Sequence, residues 1–176
     1  MTMNEFYVNG FKITVIAKPS FEVVGYTSPV NLDGCSIRLF IKQLTESGKL
    51  GKLAATLQST AQIWVCLSDE GYEGFDCRCT VCLEKTEQHS FSQFEAGELF
   101  RLHVPTSEWA DFELNEEQNP TDLHRFGVYD MAREIGYQFN STVGLHFDNE
   151  HEWEPGKKMH FLLPVIPSQG PKREGR

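Results

Sequence analysis

Residue type alternates along the extended segments of this chain, and that alternation constrains its fold more than any other feature. Successive side chains of a strand point to opposite faces of a sheet. Across residues 63–68, 76–85, 108–114, 143–148 and 159–165, one face collects Val65, Val81, Phe112, Leu145 and Leu163 with similar neighbours. It is almost wholly apolar and must lie beneath an equally apolar layer. The other face collects Trp64 and Cys66, then Trp109, Asp111 and Glu113, then His146 and Asp148, then His160 and Leu162. A merely solvated face has little use for tryptophan. Aromatic walls with a few fixed polar groups are what a small-molecule site needs. Carboxylates beside aromatic rings also suit organic cations.

Helical spacing supplies the covering layer. Ile37, Phe40, Ile41 and Leu44 recur on one helical face, with Asp33 or Ser36 as cap and Gly48 as stop. Leu50, Leu53 and Leu57 add a second short turn of helix. Val128, Met131, Ala132, Ile135 and Phe139 predict another amphipathic helix. The order strand, helix, strand, strand therefore occurs twice, in halves at about residues 11–85 and 97–167, joined by the polar stretch before residue 97. Neither copy makes a good core alone. The expected fold is α+β: one antiparallel sheet, both helices on one face, and a ligand groove between the halves. Residues 1–10 are expected to be an N-terminal extension, and residues 168–176 a loose tail.

Charge and motif content narrow the function. The chain has 176 residues and a formal net charge of −9. Without a basic footprint, direct nucleic-acid binding is disfavoured, whereas a cationic ligand is easily accommodated. No N-terminal targeting pattern and no membrane-length apolar run are present, so the expected place is the cytoplasm, with no membrane contact. Five cysteines make an odd count and argue against a disulfide framework. Cys77, Cys79 and Cys82 alternate faces and cannot converge on one metal, so they are expected to behave as small buried hydrophobes. His103, His146 and His160 lack a metal-binding spacing. No nucleophile elbow or phosphate loop is present, so no cofactor, metal or catalytic residue is assigned. The acidic tip at residues 149–154 carries Trp153, which would either fold over a groove as a lid or pack on the tail.

Several segments carry a resemblance: residues 21–26 (FEVVGY), 63–68 (IWVCLS), 97–105 (GELFRLHVP) with 109–112 (WADF), and 161–165 (FLLPV). Together, over nearly all of residues 11–167, they resemble the GyrI-like, or AraC-type, effector-binding domain family of bacterial proteins. The resemblance implies a pseudo-twofold repeat with a ligand groove where the halves meet. It also implies binding of amphipathic, often cationic, drugs, by domains that stand alone or are fused to DNA-binding regions of transcription regulators. Some stand-alone members inhibit gyrase. Some relatives hydrolyse cyclopropane-bearing genotoxins with an acidic residue and an aromatic partner. The family's usual glutamate in the penultimate strand falls at His146 here, within residues 145–148 (LHFD); a shifted register would put Asp148 or Glu150 there.

The leading expectation is a stand-alone domain that captures an amphipathic, aromatic or cationic small molecule. Trp64 and Trp109 would stack on it, Asp111 and Glu113 would set its charge, and His146 would hydrogen-bond. Cys66, Asp148 and Trp153 would complete the lining. A hydrolase of strained or electrophilic toxins in the same groove, with His146, Glu113 or Asp148 as base, is one alternative. A protein-binding inhibitor of the gyrase-inhibitor type is another.

Overall fold

The structure is a computed structural model that describes residues 4–31, 35–58, 63–68, 77–85, 88–115, 117–118, 120–149 and 158–168. It is an α+β fold whose strand pairs among the described residues are antiparallel. By contacts it divides into two units, each with its own sheet segment, helices and core.

The first unit comprises Met1–Pro19, Thr106–His146 and Trp153–Arg176. Its strands are β1 (Asn4–Val8), β2 (Phe11–Lys18), β7 (Ser107–Leu114), β8 (Tyr137–Phe139) and β10 (Met159–Pro167). They run in the order β1-β2-β7-β10, and β8 adds to β10. The second unit comprises Ser20–Pro105 and Phe147–Glu152. It holds β3 (Phe21–Val30), β4 (Trp64–Ser68), β5 (Cys77–Lys85), β6 (Phe100–Val104) and β9 (Phe147–Asp148), in the order β9-β4-β5-β3-β6.

Residues 4–10 form a strand and a turn where an extension is expected. Asn9 and Gly10 take φ of 51° and 83°, the left-handed pair that a two-residue hairpin requires, and this turn lays β1 against β2. The halves also divide differently from the sequence expectation. β2 joins the strands of the second half, because Ile13 and Val15 register with Phe112 and Ala110 and extend the same apolar face.

In the first unit, α3 (Pro120–Phe126) and α4 (Val128–Glu134) cover that face. Leu123, Val128, Met131 and Ala132 bury against Ile13, Phe112, Phe161 and Leu163. The predicted helix to Phe139 ends early. Gly136, at φ 86°, closes it by donating its N–H to Arg133 O, and Phe139 lies instead in β8 opposite Val165. In the second unit, α1 (Cys35–Glu46) and α2 (Lys49–Thr56) set Ile37, Ile41, Leu50 and Leu53 on Val24, Tyr26, Val65 and Val81. The Ser36 cap is not realised, since Ser36 lies inside α1; Asp33 lies outside the described residues.

The expected strand at residues 143–148 shrinks to β9. Asn140 intervenes: its carbonyl accepts the N–H groups of Val143 and Gly144, its side-chain oxygen accepts that of Thr142, and Gly144 turns at φ 70°. Of the expected tail, Ser168 is tied to Gly136 O and residues 169–176 lie outside the described set. No helix among the described residues is long and apolar enough to cross a membrane.

Candidate functional site

The helix-free side of the first unit is built by strand alternation. On β7, Ala110, Phe112 and Leu114 enter the core, which turns Trp109, Asp111 and Glu113 to the other side. Neighbouring strands present Ile16, Thr14 and Lys12 on one flank and Pro164, Leu162 and His160 on the other, each in register with that trio. Trp109 is 0% exposed. Its ring is enclosed in this structure, so the stacking role expected of it would require the groups that cover it to move.

The charges on this side are matched. His160 Nδ1 lies 3.0 and 3.2 Å from the two carboxylate oxygens of Asp111. The carboxylate can only accept, so Nδ1 carries the hydrogen. This bond raises the His160 pKa above its ordinary value; burial and the Lys158 charge oppose the rise. Lys158 Nζ donates to Glu113 at 2.8 Å and holds that carboxyl below the usual range. Lys12 Nζ pairs with Glu5 at 2.8 Å, which raises the lysine's pKa. Asp111, Glu113 and His160 are half-buried, so their interactions are stronger than those of fully exposed pairs.

His146 is placed differently. Its ring stacks on Phe161 at 4.9 Å and 17°, and Phe161 belongs to the helix-side core with Phe112. It does not share the face of Asp111 and His160, as the alternation across residues 143–148 had predicted. The collapse of that segment into a turn is the reason.

The second unit has a helix-free side of its own. Trp64 and Cys66 register with Cys82 and Thr80 on β5, and those with Gly25 and Thr27 on β3. Thr80 Oγ1 and Thr27 Oγ1 are 3.4 Å apart. Trp64 is half-buried, whereas Cys66 and Cys82 are buried. Burial, with the Asp148 charge second, pushes the Cys66 thiol up to about 12. Cys79 is likewise pushed up to about 12 by burial, and Cys82 well above its ordinary value. Such thiols stay protonated and are poor nucleophiles and poor metal ligands.

Asp148 registers with Val65 and therefore takes the core side of the sheet, where it is 4% exposed. Its chain neighbour Phe147 packs beside Phe21 at 6.1 Å. The two residues of β9 thus face opposite to the expectation. Among the described residues a cleft of about 550 Å³ is lined by Lys49, Lys52 and residues 93 and 95–98; it contains none of the predicted site residues.

No family model matches the chain, and no curated protein matches it. Solved structures do. SAV2435 bound to tetraphenylphosphonium superposes with a TM-score of 0.62 at 11% identity, over 88% of this chain and 93% of that one. The EcmrR C-terminal domain gives 0.59 at 13% identity, over 89% and 98%. A transcription regulation protein of Staphylococcus aureus MU50 gives 0.54 at 11% identity, over 87% and 97%. The chain has the GyrI-like fold of these structures.

Within this GyrI-like fold the predicted residues belong to both units. Asp111, Glu113 and the buried Trp109 hold the helix-free side of the first unit; Trp64 and Cys66 hold that of the second. His146 stacks on Phe161, and Asp148 takes the core side of the second unit, where its charge still reaches Cys66. Trp153 and Glu150 lie outside the described residues. Sequence reasoning put His160 on the right face but gave it no role, and gave none to Lys12 or Lys158. The signal lay in the register: His160 opposes Glu113 and sits diagonal to Asp111, and strand composition does not encode register.

Proposed function

We propose that this chain binds small molecules, and that it takes hydrophobic organic cations on the helix-free side of its first unit. The observation that carries the reading is Asp111 and Glu113 standing side by side among Ile16, Leu162 and Pro164. Half-buried carboxylates in an apolar surround attract a diffuse cation more strongly than solvated ones, and the apolar neighbours accept its hydrophobic surface. The net charge of −9 favours approach of a cation over long range. The likeness in fold to SAV2435, solved with tetraphenylphosphonium, supports the same ligand class.

The deciding experiment is calorimetric titration of the folded protein with tetraphenylphosphonium and with a neutral analogue of equal size, tetraphenylmethane-like in shape and solubilised by a short polyether. Saturable binding of the cation, weaker binding of the neutral probe, and loss of that preference in Asp111→Asn support the reading. No saturable binding of either probe overturns it. The hydrolytic alternative is not carried forward, because of its expected bases His146 is stacked on Phe161, Glu113 is held by Lys158 and Asp148 is buried in register with Val65.

A further inference from the structure

We infer that capture of an organic cation at Asp111 is coupled to release of one proton from His160. The inference rests on the binding reading above and adds how that site selects and releases its guest. Its basis is geometric: one imidazole nitrogen spans both oxygens of the carboxylate that would receive the cation.

The charged groups around His160 can be followed strand by strand among the described residues. From β7 come Asp111 and Glu113, from β10 the preceding Lys158, and from β2 Lys12, in register with Glu113. From β1 comes Glu5, which pairs with Lys12. With His160 protonated, the cations Lys12, Lys158 and His160 balance the carboxylates Glu5, Glu113 and Asp111. Among the described residues the face then has no net charge to offer a cation. When His160 loses its proton, one negative charge remains, centred on Asp111. An imidazole is the side chain that changes charge near neutrality, and among the described residues of this face His160 supplies it.

A bound cation and an imidazolium beside the same carboxylate repel each other at close range in a partly desolvated site. The pair therefore exchanges: the guest enters, and the proton leaves His160 for solvent. Only one imidazole N–H bond breaks, and water or buffer accepts the proton. The raised pKa of His160 keeps the imidazolium populated further towards neutral pH than a free histidine would. The exchange consequently falls in a range where modest acidification expels the guest.

The test is calorimetry of the unmodified protein with tetraphenylphosphonium across about pH 5.5 to 8.5, in buffers of differing ionisation enthalpy. Proton linkage predicts that affinity rises about tenfold per pH unit below the His160 pKa and levels off above it. It also predicts release of about one proton per cation on the acid side. In His160→Gln, affinity should be independent of pH, near the wild-type plateau, with no buffer dependence. Saturable binding whose affinity ignores pH and buffer in the unmodified protein would refute the coupling and leave the binding reading standing. A pH dependence that persists in folded His160→Gln would refute His160 as its source. Absence of binding at every pH would remove both. Should the variant not fold, the buffer series on the unmodified protein still decides whether a proton is released.

Discussion

His160, on β10, holds both carboxylate oxygens of Asp111, on the neighbouring β7, through a single ring nitrogen. The two residues are diagonal rather than opposite, since Asp111 registers with Leu162 and His160 with Glu113. The bond thus ties adjacent register positions of the two strands, and its strength depends on the charge of one imidazole.

That dependence makes stability respond to pH in a definite direction. The folded pKa of His160 lies above its unfolded value. The contribution is therefore fully present below the unfolded value, roughly pH 6.5, and is lost as pH rises through the folded pKa. Side-chain exposures of 25% and 21% keep solvent screening partial, and a pair of this kind contributes on the order of 1 kcal/mol or less. Urea denaturation across that range should show the fall in the unmodified protein and its absence in Asp111→Asn. Glu113 has the opposite sign: its pKa is lowered by Lys158, so its contribution is present above the ordinary carboxylate range and lost as pH falls through the folded pKa. In Lys158→Ala the acid-side loss should shrink.

Gly25 gives a sharper prediction. A methyl group there would lie 2.1 Å from Val81 O and within 2.7 Å of Cys82 Cα and Cβ, because β3 and β5 approach closely at this pair. The obstruction is backbone, which cannot swing aside. Gly25→Ala should cost about 3 kcal/mol or more, or prevent folding, as seen in the urea midpoint. Gly51, in α2, is the contrast, since an added Cβ meets nothing within 4 Å. Gly51→Ala should raise stability by about 0.5–1 kcal/mol, the difference in helix propensity.

Much of the fold was legible because alternation and helical spacing are local. The apolar sets on β5, β7 and β10 and the helix faces of α1 and α4 all entered the cores expected of them. What failed depended on turns. Asn9-Gly10 is a strong hairpin signal, which the expectation of an extension at residues 1–10 does not use. Gly136 ends α4 by its left-handed backbone, and Asn140 folds the following residues into a turn. Those two residues decide where residues 137–148 go, and with them the faces of His146 and Asp148. Carboxylates on the long β7 were placed correctly, because eight consecutive strand residues leave no freedom of parity. Their cationic partners came from other strands, where register rather than composition makes the match.

The cysteines should be chemically quiet while the chain is folded. Cys66, Cys79 and Cys82 are buried, and burial raises their pKa values. Alkylation follows the thiolate fraction and access, and both are low here. Mass-spectrometric mapping after iodoacetamide treatment at about pH 8 should leave these three unmodified in native buffer and label them in denaturant. Fast native labelling of Cys66 would mean that the helix-free side of β4 opens readily.

His146 separates the structure's account from the sequence's. Alternation gave it a hydrogen-bonding role beside Asp111, whereas its ring stacks on Phe161 at 4.9 Å, against a core that also holds Phe112. Removing the ring deletes packing area and leaves the carboxylate face intact. His146→Ala should lower stability by about 1 kcal/mol, the scale of a partly buried aromatic contact, and leave tetraphenylphosphonium affinity within about twofold. Asp111→Asn should do the reverse at alkaline pH: little change in the urea midpoint, since His160 is then neutral, and about a tenfold or greater loss of affinity from the missing counter-charge. If instead His146→Ala abolishes binding in a folded protein, the guest contacts the Phe161 side of the sheet and the site on Asp111 is wrong.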